Sequence, residues 1–184
     1  TEISIDDAAL HRLWAYTCAA DNEISAIGEV EVTPDGIHVT DVIHFMRQRG
    51  SYGGTVIGSR ELVELATRYD CEGRDPTRLR FWFHTHGGMA AYFSVTDETT
   101  INKFTMTYGW PLLVAACFNR HGETMWKVVS NGLALEPWPF LIPMNAPSLD
   151  EVLAVQPIIN KLVQPLPTRF HLIGRRFGRG RKIS

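Results

Sequence analysis

The run Leu79-Arg80-Phe81-Trp82-Phe83-His84-Thr85-His86 constrains this chain more than any other stretch. A short, bulky apolar segment of this kind is predicted to be a buried strand. Side chains alternate along a strand, so Phe81 and Phe83 face one side while Trp82, His84 and His86 face the other. Thr85 falls on the side away from the histidines and is assigned to packing. Trp82 either walls a pocket or fills the core. Two imidazoles at i and i+2 can share one metal ion, and a third ligand must then come from elsewhere.

Seven residues separate His86 from Ser94-Val95-Thr96-Asp97. Ser94 is placed to cap a helix, with Asp97 at its third position and the body continuing through DETTINKFTMTYG. That helix start projects Asp97 back toward the strand end. His84, His86 and Asp97 then form a two-histidine, one-carboxylate set with a fourth position open to water, the pattern of a catalytic rather than a structural zinc site. Ser-x-x-Asp is also an ordinary capping box. With 7 His among 184 residues, the whole pattern arises by chance in roughly one such chain per two thousand, so coincidence explains it poorly.

Composition bounds the remaining options. A length of 184 residues with 45% apolar and 21% charged content suits one globular domain with a full core. No apolar run reaches the length of a membrane span, and TEISIDDAAL carries no signal-peptide pattern, so cytoplasmic residence is the expectation. Cys18, Cys71 and Cys117 form no CxxC pair and suggest neither a disulfide framework nor a cysteine zinc site. Cys18 and Cys117 are assigned as buried, inert thiols. Residues 169–184 hold six of the 18 Lys and Arg and no acid, which divides the chain into a domain at 1–168 and a basic tail at 169–184. Such a tail could meet nucleic acid or an acidic surface; a solvated tail is the more frequent outcome.

Ser4-x-x-Asp7 predicts a first helix to about Asp21, with Leu10, Leu13, Trp14 and Cys18 on its core face and His11 outward. Strands are expected at 23–32 and 37–45, joined by a turn at Thr33–Gly36. In the first, Ile24, Ala26, Gly28, Val30 and Val32 share one face, and Glu23, Ser25, Ile27, Glu29 and Glu31 the other. The glycine-rich segment 47–58 predicts a mobile loop with room for a short strand at Thr55–Ile57. Ser59 caps a helix to about Tyr69. Beyond the Asp97 helix, strands at 111–118 and 123–130 are followed by an Asn131-Gly132 hairpin turn. Pro137, Pro139, Pro143 and Pro147 impose irregular chain, and Ser148-x-x-Glu151 opens a last helix interrupted or kinked at Pro157. The fold class is therefore α+β (mixed α/β), a central, largely antiparallel sheet with helices against it.

The H-x-H-x7-S-x-x-D pattern resembles the signature of the JAMM (MPN+, or JAB-domain) zinc metallopeptidases, with a lean to the bacterial or phage-type branch. The resemblance covers about residues 5–165 in the order of the elements. It implies an MPN/JAB-like, cytidine-deaminase-like architecture and one zinc per chain with a bound water. The implied activity is hydrolysis at the C-terminal tail of a ubiquitin-like protein, in deconjugation or precursor processing. It also implies an upstream glutamate as general acid–base, a place occupied here by Glu23, and an oxyanion-steadying role for the Ser94 hydroxyl. Segments 46–58 and 87–93 would line the groove for the tail. The chain departs from the family in Gly87-Gly88, where eukaryotic members usually have proline, and in Ala26, where glycine is frequent. The first departure is expected to loosen the loop beside the metal.

Two other classes compete. A non-catalytic MPN-type interaction scaffold would lack metal ligands, whereas all are present here. A nucleic-acid module rests on the basic tail alone, so nucleic acid is not an expected partner, nor is a membrane. His11, His38, His44, His121 and His171 show no ligand spacing and are assigned to surface or hydrogen-bonded roles.

Overall fold

Alternating apolar residues on either side of one sheet build three layers. The computed structural model describes residues 2–134, 138–140 and 146–166. Its elements, in chain order, are β1 (Glu2–Ile5), α1 (Asp7–Ala19), β2 (Ser25–Val32), β3 (Gly36–Phe45), β4 (Gln48–Ser51), β5 (Gly54–Ile57), α2 (Ser59–Cys71), β6 (Leu79–Thr85), α3 (Val95–Asn102), β7 (Leu112–Phe118), β8 (Thr124–Ser130), β9 (Leu133–Ala134), β10 (Trp138–Phe140), α4 (Leu149–Leu162) and β11 (Val163–Pro165). The larger sheet has the order β1-β3-β2-β6-β7-β8-β10, with β9 also on β8. It is mostly antiparallel; β1 on β3 and β6 on β7 are the parallel pairs. The chain is thus mixed α+β, with four α-helices among the described residues.

β6 lies in the middle of the sheet, and its two faces do different work. Phe81 and Phe83 are fully buried with Ala26, Val39, Val114 and Phe118 under Leu13 and Trp14 of α1. Trp82 and Leu79 pack on the opposite face with Ile27, Leu113 and Ala115 beneath Leu65 and Tyr69 of α2 and Ile101 of α3. Burying a side chain of this size contributes about 2–3 kcal/mol, which fixes the strand's register and hence the direction of His84. α4 covers the end of α1, with Ile159 meeting Tyr16, Ala19 and Ile24.

Several local expectations are corrected. Ser4 does not cap the first helix: residues 2–5 pair with β3, Ile3 and Ile5 lean on the core, and Ser4 bonds His38. α1 starts at Asp7 behind Asp6, which makes no side-chain cap. Ser59 is the first residue of α2, behind Gly58. Segment 47–58 is a hairpin in a second sheet ordered β11-β4-β5. Its anchor is Gln48, a buried side chain that donates to the Ser25 carbonyl at 2.8 Å and accepts from the Ser25 amide at 2.6 Å. α4 runs unbroken through Pro157. His11, outward and hydrogen-bonded as expected, bonds Glu151 and ties α1 to α4. Pro137, Pro143 and the basic tail lie outside the described residues.

Candidate metal centre

His84 is the penultimate residue of β6, on the face it shares with Trp82, whose indole stacks on the imidazole with ring centroids 4.5 Å apart. His86 follows one residue past the strand, its amide donating to the Phe118 carbonyl at 2.9 Å. That bond prolongs the β6–β7 pairing and turns both imidazoles to one side. The His86 ring is set by the Ala90 carbonyl, 3.0 Å from Nδ1. A ring whose Nδ1–H is held by a carbonyl presents its Nε2 lone pair to a metal.

Asp97 arrives through helix capping. Ser94 is the N-cap of α3, and the capping box is complete in both directions. The Asp97 amide donates to Ser94 Oγ at 3.3 Å, while the Ser94 amide and hydroxyl donate to Asp97 Oδ2 at 2.7 and 2.6 Å. A Lys127 to Glu98 ion pair pins the same turn of helix to β8. The carboxylate is thereby held with Oδ1 at 3.3 Å from His84 Nε2 and Oδ2 at 3.3 Å from His86 Nε2.

One carboxylate oxygen of Asp97 thus faces each imidazole, and the contact with His86 is a hydrogen bond. The His84 ring is fully buried, and neither nitrogen makes a well-formed hydrogen bond; the groups that face it are Asp97 and the Ala116 backbone. Burial alone would raise the Asp97 carboxyl, but the two imidazoles and the Ser94 hydroxyl outweigh it and hold the group ionised. Burial keeps His84 neutral, against the pull of Asp97. Neutral imidazole and ionised carboxylate are the forms that bind metal.

Cys117 is the residue that sequence reasoning set aside. It is the register partner of His84 across the β6–β7 pair, and its thiol joins His84 and His86 in a buried group whose donor atoms lie within 4.8 Å of one another. A buried His84, His86 and Cys117 group could hold a metal ion. The aligned ends of VAACF and FWFHT carry the signal, once the two strands are known to be parallel neighbours. Burial pushes the thiol strongly upward in the metal-free protein, whereas Asp97 beside it is ionised.

Glu23 lies just before β2, buried, within electrostatic range of His86 and Asp97. Burial pushes its carboxyl up to about 7; His86 opposes the rise and Asp97 adds to it. The β4–β5 hairpin holds this stretch in place: the Glu23 amide donates to the Ser51 carbonyl at 2.9 Å. Gly50 packs so closely that a Cβ there would stand 2.5 Å from the Glu23 carbonyl oxygen. Thr85, facing away as expected, accepts from the Ile24 amide at 3.1 Å and ties this stretch to β6.

The loop after His86 is held rather than loosened by its glycines. Gly87 takes a φ of 54°, open to glycine and closed to proline. The turn it makes lets Arg120 donate to the Gly87 carbonyl at 2.8 Å and Asn119 Nδ2 to the Met89 carbonyl at 2.8 Å. His121 Nε2 contacts the Gly88 carbonyl at 3.1 Å.

No model of a known protein family matches the chain, and no curated protein shows significant sequence similarity to it. Among the described residues, no helix is long and apolar enough to cross a membrane.

Proposed function

We propose that the chain is a zinc-dependent metallopeptidase or isopeptidase of the JAMM type, with an MPN/JAB-like fold, acting on the C-terminal tail of a ubiquitin-like modifier. The observation that supports the reading is a fully buried His84 imidazole brought together with His86 and Asp97. His84 Nε2, His86 Nε2 and Asp97 Oδ1 are the proposed ligands. Bound there, zinc supplies the Lewis acidity that makes water nucleophilic near neutral pH.

The rest of the chemistry falls to the protein. Glu23, whose burial favours the protonated form more than in an ordinary glutamate, takes a proton from the attacking water and returns one to the leaving amine. Ser94 orients Asp97 through its hydroxyl; steadying an oxyanion would require that hydroxyl to turn from Oδ2. β5 is an edge strand of the smaller sheet. Between it and α3 runs a shallow cavity of about 60 Å³ lined by Val56, Trp82 and Thr100. An extended tail added to the β5 edge would pass alongside Trp82 and so beside His84.

Metal analysis of the purified chain, with Asp97→Ala beside it, tests the centre; incubation with tail-extended ubiquitin-like proteins tests the activity. One zinc per parent chain, lost in the variant, together with tail cleavage by the parent, is expected. Absence of metal from both proteins would leave the non-catalytic scaffold as the better reading.

A further inference from the structure

A second cleft, lined by none of the candidate metal ligands, opens at the end of β3. A cleft of about 690 Å³ lies among α1, the end of β3, α2 and α4, within the range of small-molecule pockets. Four arginines line it, Arg12 from α1, Arg47 from the β3–β4 link, and Arg60 and Arg68 from α2, against two glutamates, Glu61 and Glu64. Arg60 is paired with Glu64 at 2.7 Å. The others are not neutralised by carboxylates. Arg12 spends one terminal nitrogen on the Asp41 carbonyl, and its buried Nε meets no partner. Arg47 and Arg68 form no ion pair among the described residues.

Four guanidinium groups against two carboxylates leave the lining with an excess of two positive charges, which favours an anionic ligand. Arginine's planar fork matches phosphate oxygens in pairs. The cations come from three elements around a half-open cleft rather than from a row along one element, and a volume of this size suits a compact ligand. His44, also on the lining, senses the same field: burial first, then Arg68 and Arg74, push its pKa down to about 4.

We propose that this cleft binds a small molecule carrying two or more phosphate groups, held by Arg12, Arg47 and Arg68. The site is independent of the metal centre and would stand if the peptidase reading fell.

Calorimetric titration of the full chain with fructose 1,6-bisphosphate, beside fructose and a hexaglutamate peptide, tests it. Saturable binding of the bisphosphate alone is expected, weakened about tenfold or more by Arg68→Gln and by Arg47→Gln. Asp97→Ala and the tail variant Arg175→Gln/Arg176→Gln should bind as the parent does. In the unaltered protein, the ring resonances of His44 should shift on saturation while those of His121 stay. The proposal is overturned if the bisphosphate gives no saturable binding, if the hexaglutamate binds as tightly, or if affinity follows the tail or Asp97 instead of Arg68. An unmoved His44 signal at saturation would overturn it equally.

Discussion

Ser94 and Asp97 cap each other: the serine hydroxyl donates to Oδ2 at 2.6 Å and accepts from the aspartate amide at 3.3 Å. One exchange of hydrogen bonds thus starts α3 and aims a carboxylate. Ser94→Ala should lower stability by ~1 kcal/mol through the lost cap and weaken zinc by about 10–100-fold through the freed carboxylate. Thermal unfolding of the metal-free protein and chelator competition separate the two effects. A variant that loses stability but keeps full metal affinity would show that Ser94 does not position Asp97.

Cys117 and Asp97 are rival third donors, and substitution distinguishes them. Cys117→Ala should leave one zinc per chain, at a cost of about 1 kcal/mol for the lost buried sulfur. Asp97→Ala should lose the metal. Loss of zinc in the Cys117 variant, measured by metal analysis, would transfer the ligand role to the thiol.

Glu23→Gln preserves size and removes the titrating oxygen. Zinc content should be unchanged and cleavage reduced at least about 100-fold. Equal turnover by the variant would remove Glu23 from the chemistry.

Gly50 tests the hairpin's support of that glutamate. In Gly50→Ala the new Cβ would meet the Glu23 carbonyl oxygen at 2.5 Å and Val163 Cγ1 at 3.0 Å. The hairpin must shift, at about 1–3 kcal/mol. Cleavage should fall while metal content holds, read by turnover and metal analysis on the same preparation.

His44 governs a pH dependence away from the metal. Its Nε2 contacts the Tyr69 hydroxyl at 2.6 Å, and Tyr69 donates to Glu29 at 2.8 Å. With the folded pKa pushed down to about 4 from 6.5, the unfolded chain binds the extra proton first. The contribution is full above about 6.5 and is lost as pH falls toward about 4, on the order of 2 kcal/mol. Urea unfolding at pH 7 and pH 4.5 should show a smaller loss in His44→Gln than in the parent; identical losses would dismiss the effect.

The sequence made the central strand, the capping box at Ser94 and the meeting of His84, His86 and Asp97 legible, because each depends on residues close in the chain. Strand periodicity and a local cap need no knowledge of the distant fold. What it hid depends on pairing between remote segments. Ser4 has the look of a cap, yet its neighbours Ile3 and Ile5 find more to gain against β3. The glycines of 47–58 suggested slack chain, whereas Gln48 and the β11 pairing turn it into a brace. Cys117 could be seen beside His84 only once β6 and β7 were known to run parallel in that register.

The parallel pairing of β6 with β7 requires a crossover, and the histidines and Asp97 all fall on or beside that one connection. Gathering them closes only a short loop, so metal capture asks little of the distant chain. Glu23 enters from another strand altogether and depends on the sheet and hairpin being assembled. On the proposed reading, damage that opens the β2 side should therefore silence hydrolysis while the ion remains bound. A descendant of this chain could then lose the proposed chemistry and still keep zinc as a staple of its architecture.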